Sequence, residues 1–75
     1  MTQTLLQRLR TDELTPRESE ILSLVASGLE SKEIARELFL SHDTVRTHVA
    51  HALAKLGARS RAQAVAIAVR RGLID

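Results

Sequence analysis

The chain has 75 residues, no cysteine, a single aromatic side chain (Phe39) and a formal net charge of +2. That length holds one small domain and leaves no room for a large catalytic cleft, and the missing cysteines exclude disulfides, thiolate metal sites and cysteine nucleophiles. Hydrophobic residues make up 44% and charged residues 27%, the balance of a folded domain rather than of a disordered tail, so its core has to be aliphatic and its helices have to hold without a covalent staple.

Residues 1–13 contain Leu5, Leu6 and Leu9 but no clear helix cap. They read as an N-terminal segment or linker, with a short extra helix as the alternative, ahead of a domain over 14–75. No basic stretch leads into an apolar run, so these residues do not read as a secretory signal. No run approaches the roughly 18 apolar residues of a membrane span. The expectation is a cytoplasmic protein with no membrane partner.

Thr15-Pro16-Arg17-Glu18 predicts a helix start: Thr15 as cap, Pro16 at the first helical position, and Glu18 three residues on to complete a capping box. Ile21, Leu22, Val25 and Ala26 recur at helical spacing behind it, and Gly28 stops the helix. Ser31 is the next cap, and Ile34, Ala35 and Leu38 follow in a helix of about two turns. Phe39 and Leu40 form a brief apolar connection, with Phe39 expected in the core. Ser41 caps a third helix over about 42–56, whose Val45, Val49, Ala52, Leu53 and Leu56 share one face, ending at Gly57. The opposite face carries Asp43, Arg46, Thr47, Ala50 and Ala54. Ser60 and Gln63 make a second capping box for a helix from about Arg61 to Arg71. Its residues 62–69 are apolar nearly all round, which calls for two partners, the domain's own core and a second molecule. No alternating strand pattern is present, so the fold class is all-α with four helices.

Charge divides along the chain. Residues 12–37 sum to −4 and residues 38–74 to +5. A short helix, a tight connection and a longer helix with a basic, exposed front form a helix-turn-helix candidate. In that motif the start of the second helix meets base edges in the major groove. Arg46 fits that task, because its planar fork matches two acceptors on a guanine edge. Thr47 offers a methyl or a hydroxyl there. Asp43, Ala50 and His51 complete the expected base-facing set. Free N–H groups at helix starts suit phosphates, which brings in Ser31, Lys32 and Thr44. Lys55 reads equally as a phosphate contact or as a cation favoured by its helix C-terminus. His42, His48 and His51 lack the carboxylates of a metal site, and neither a metal nor a cofactor is expected.

Leu14-Thr15-Pro16-Arg17-Glu18, Gly28, Ser31-Lys32-Glu33-Ile34-Ala35, Leu38-Phe39-Leu40-Ser41, Thr44-Val45-Arg46-Thr47-His48, Lys55-Leu56-Gly57, Ser60-Arg61, and Ala62 with Ala64 stand in order along residues 14–74. In this ordered set the chain resembles the LuxR/FixJ-type helix-turn-helix DNA-binding domain of bacterial transcription regulators. The resemblance implies a four-helix domain that reads duplex DNA, on an inverted-repeat site, as a homodimer through its last helix. That interface would hold Ala62, Val65, Ala66, Ala68 and Val69. It also implies that Arg46 stands where the family usually has a Lys toward bases or backbone, that Lys32 contacts phosphate, and that His48 packs near the DNA backbone. Ala50 departs from the long polar residue common there, so a relative's target sequence does not transfer. RNA polymerase is a candidate partner. The alternatives are a promoter-binding module like region four of a sigma factor, and a helical module that binds only proteins. No paired acids, nucleophile–base set or phosphate-cradling glycine loop points to an enzyme.

Overall fold

A computed structural model describes residues 14–75. The expected N-terminal segment over 1–13 lies outside the described residues. Four helices follow in order: α1 (Pro16–Ala26), α2 (Ser31–Leu38), α3 (His42–Leu56) and α4 (Arg61–Arg70).

Local chemistry sets most of the helix ends. At α1 the Glu18 N–H donates to Thr15 Oγ1 at 3.1 Å, while the Glu18 carboxylate accepts from the Thr15 N–H at 2.9 Å. The expected capping box is therefore closed on both sides. The far end of α1 turns at Gly28, whose φ of 95° is open to glycine and strained for other residues. There the Gly28 N–H donates to Val25 O and the Leu29 N–H reaches back to Leu24 O, the two bonds of a Schellman ending. Ser41 caps α3 by accepting from the Thr44 N–H at 3.0 Å, and Ser60 caps α4 by accepting from the Gln63 N–H at 3.1 Å. The Gln63 amide oxygen reaches the Arg59 N–H at 2.6 Å, one residue earlier than a regular capping box would place it.

Two expectations fail in the connections around α2. Ser31 is not its cap: Glu30 holds that position, with its N–H donating to the Glu33 carboxylate at 2.8 Å. Ser31 is instead the first helical residue and is turned inward, 5% exposed. Phe39 is not in the core either. It lies 95% exposed, with a left-handed φ of 57°. The cause is the reversal between α2 and α3. The Leu40 N–H closes back onto Ala35 O at 2.9 Å, and this ending demands a positive φ at residue 39. The flanking Leu38 and Leu40, both half-buried, supply the apolar contact in its place.

The core has two parts joined by α1 and α3. Ile21 of α1 packs with Ile34 and Ala35 of α2 and with Val45 and Val49 of α3. Its neighbour Leu22 enters the other part, with Ala52 and Leu56 of α3, Ala64 and Ala68 of α4, and Ile74. Ile74 arrives because Gly72, at φ 72°, lets the Leu73 N–H return to Ala68 O. Half-buried Leu53 packs against both parts. α2 and α4 thus lie against different stretches of α1 and α3, and their backbones do not meet.

Ala68 corrects the expected second-molecule surface of α4. It is completely buried in the domain's own core, and Val65 is half-buried against it. The outward face of α4 carries Ala62, Ala66 and Val69, spaced by four and three residues.

A candidate nucleic-acid interface on α3

The geometry of α3 follows from two valines. Val45 and Val49 are buried against α1 and α2. At 3.6 residues per turn this rotates Asp43, Arg46, Thr47 and Ala50 to the outside, and all four are exposed. His51 is exposed beside them. Among the described residues Asp43, Arg46, Thr47 and His51 make no side-chain hydrogen bond or ion pair. The front of α3 is a fixed, capped helix end with polar groups that no side chain among the described residues engages.

Its flanks differ in detail. Thr44 is half-buried, and its Oγ1 lies 2.7 Å from the Ser41 hydroxyl. His48 is half-buried on the side of the helix between the outward face and the core. On α2, Lys32 is exposed in the first turn. The N–H groups of Ser31 and Lys32, as the first two of that helix, have no intrahelical acceptor. Together these positions give a front of hydrogen-bond donors around α3, with Arg46 and Lys32 the long cations on it.

Besides Thr44, which is bonded to its cap Ser41, two of the expected phosphate contacts are engaged inside the domain. Lys55 does not stand free: its Nζ lies 2.7 Å from Glu18 Oε1. Glu18 is only 4% exposed. Burial alone would push its carboxyl up. The Lys55 ammonium and the Thr15 N–H and hydroxyl more than offset this, so its pKa sits below the ordinary carboxylate value. The pair ties the start of α1 to the end of α3. Ser31 is withdrawn in the same way, because its hydroxyl accepts from the Arg61 guanidinium of α4. Neither link was visible in the sequence. The partners lie 37 and 30 residues apart, and no periodicity connects them. Among the described residues, no three His, Cys, Asp or Glu side chains gather where they could hold a metal ion, and no helix is long and apolar enough to cross a membrane.

The family model for the bacterial regulatory proteins of the luxR family matches residues 12–68. The chain belongs to this family. It is a LuxR-type helix-turn-helix DNA-binding domain, all-α with four helices, of a family of transcription regulators rather than enzymes. The sigma-factor alternative is set aside by the same match. The spore germination protein GerE of Bacillus subtilis is 45% identical over 62 residues, covering 83% of this chain and 84% of that one. A solved structure of the transcription factor GerE superposes with a TM-score of 0.79 at 37% identity, over 83% of this chain and 92% of that one. A response regulator of a heme-sensing two-component system, ChrA, also superposes at 0.79, with 41% identity. The match there covers 81% of this chain but 30% of ChrA. A Mycobacterium bovis protein named as an HTH-type transcriptional regulator is 52% identical over 59 residues, which are 79% of this chain and 7% of that protein. The chain thus spans a small part of several longer relatives and most of GerE.

Proposed function

We propose that this domain binds duplex DNA at specific sequences in bacterial transcription control, with the N-terminal half of α3 in the major groove. The observation that carries this reading is the outward row Asp43, Arg46, Thr47 and Ala50, held by Val45 and Val49 and unengaged among the described residues. A helix end of that kind fits the groove, and Arg46 brings the side chain best suited to a guanine edge. Thr47, Asp43 and His51 are the further base-facing candidates, and Ala50 offers at most contact with a thymine methyl. Lys32 and Thr44 fit phosphate contacts at the two helix starts, with His48 beside the backbone. Lys55 and the Ser31 hydroxyl leave that set. A DNA partner implies work in the cytoplasm, and RNA polymerase is a candidate contact once the domain is on a promoter.

The same reading has the domain act as a homodimer through Ala62, Ala66 and Val69 of α4, on an inverted-repeat site. Val69 supports it as one of two large hydrophobic side chains exposed among the described residues, at 47%. Selection from random duplexes tests the DNA reading: enrichment of an inverted repeat is expected, and no enrichment at low salt would overturn it. For the dimer, Ala66→Glu and Val69→Glu should lower the mass seen in sedimentation on the selected duplex. A complex of unchanged mass would place the interface elsewhere.

A further inference from the structure

We infer that the Arg61–Ser31 hydrogen bond fixes the spacing between the two half-sites that the dimer accepts. The inference rests on the reading above, in which α2 and α3 meet DNA and α4 meets the second copy. The reading pair and α4 have to keep one relative orientation if two domains are to fit two half-sites at once. α3 packs on α4 directly, through Ala52 and Leu56 against Ala64 and Ala68. The α2 backbone lies on α1 and α3 and does not reach α4. A side chain spans the gap. Arg61, the first residue of α4, reaches across to the hydroxyl of Ser31, the first residue of α2.

Both groups are built into place. Ser31 is 5% exposed, and its inward turn leaves the capping of α2 to Glu30. Arg61 is half-buried and follows directly on Ser60, which caps α4. The start of α2, where Lys32 stands, is therefore tethered to the start of the helix that would carry the dimer axis. A neighbouring spacing differs by one base pair, about 3.4 Å along the duplex and roughly a tenth of a turn around it. Accepting it requires α2 and α3 to swing relative to α4. The tether opposes that swing at the start of α2. Arg61 is thus a positioning residue and acts through Ser31.

The test measures affinity for three duplexes: the selected inverted repeat, and the same half-sites one base pair closer and one base pair further apart. Ser31→Ala is the decisive variant, since it removes the tether and keeps the guanidinium. Arg61→Ala and the double variant complete the set, and each is compared at a matched folded fraction from its thermal melt. Wild type should prefer its own spacing by tenfold or more. Ser31→Ala should reduce that preference at least threefold, with the double variant no worse than Arg61→Ala. Affinity for a single half-site should fall less in Ser31→Ala than its affinity for the selected repeat. An unchanged spacing preference in Ser31→Ala overturns the inference alone and leaves the DNA reading standing. A wild-type protein indifferent to spacing overturns the inference together with the dimeric reading on which it rests. A loss in Ser31→Ala that is equal on all three duplexes and on the single half-site would also overturn it, because a generally weakened domain would behave that way.

Discussion

The two ends of α3 carry an arginine and a lysine nine residues apart, and the domain treats them in opposite ways. Arg46 at the front is exposed and unengaged among the described residues, next to the similarly free Asp43 and Thr47. Lys55 at the back is drawn down to Glu18 and holds the start of α1. Both are single cations on the same amphipathic helix, and composition counts them alike. The difference comes from what packs beside each. The front of α3 lies against α2, which is short and covers only the valine side. The back lies beside the α1 capping box, where a buried carboxylate needs a cation. A helix can therefore present a binding surface at one end and act as a structural brace at the other, so the net charge of a face is a poor guide to which cations are free.

Breaking the brace should give the largest effect. Lys55→Ala leaves the Glu18 carboxylate buried with only its Thr15 partners. Loss of one member of a buried pair is severe, but Lys55 is partly open to water, so a destabilisation of about 2–3 kcal/mol is expected in a denaturant titration. A change under about 0.5 kcal/mol would show that the pair is ornamental. Acid should act on the same brace more gently. Because the folded pKa of Glu18 is lowered, its contribution is complete above the carboxyl's ordinary value and is lost as pH falls through the lowered one. Wild type should lose stability over that acid range, and Glu18→Gln should show a shallower decline there. Equal slopes in the two proteins would mean that other carboxylates govern the acid limb. The smallest effect concerns the turn that orients the front. Phe39 holds a left-handed backbone with its ring in water, so Phe39→Gly removes strain at some cost in chain entropy. The melt should rise by under about 1 kcal/mol. A fall of more than about 1 kcal/mol would show that the ring contributes packing after all.

What the sequence disclosed, and what it hid, follows from the range of each interaction. The Thr15–Glu18 box and the Ser41 and Ser60 caps are contacts within one turn, and spacing alone revealed them, although the Gln63 side chain reaches Arg59 rather than Ser60. The valine–leucine stripe of α3 gave both its buried face and, by subtraction, its outward row. Phe39 was misjudged because hydrophobicity suggested a core place, while the backbone reversal required an outward one. Ala68 was misjudged because α4 is apolar on most of its circumference, and periodicity cannot say which side meets the domain's own core. Lys55, Ser31 and Ile74 depended on the tertiary fold: an acid 37 residues away, an arginine 30 residues away, and a chain end that turns back at Gly72. Arg46, Thr47 and Lys32 stand exposed where the helix-turn-helix pattern had them.

The contrast between the two ends of α3 is also the most direct test of the account. Arg46→Ala and Lys55→Ala should be titrated side by side, at one salt concentration and matched folded fraction, on the selected duplex and on random duplex. Arg46→Ala should weaken the selected site by about 1–3 kcal/mol, roughly 5- to 150-fold, and random duplex distinctly less. Lys55→Ala should leave the ratio between the two duplexes unchanged. Equal losses on both duplexes for Arg46→Ala, or a loss of preference in Lys55→Ala, would contradict the claim that the front of α3 reads sequence while its back only braces the fold.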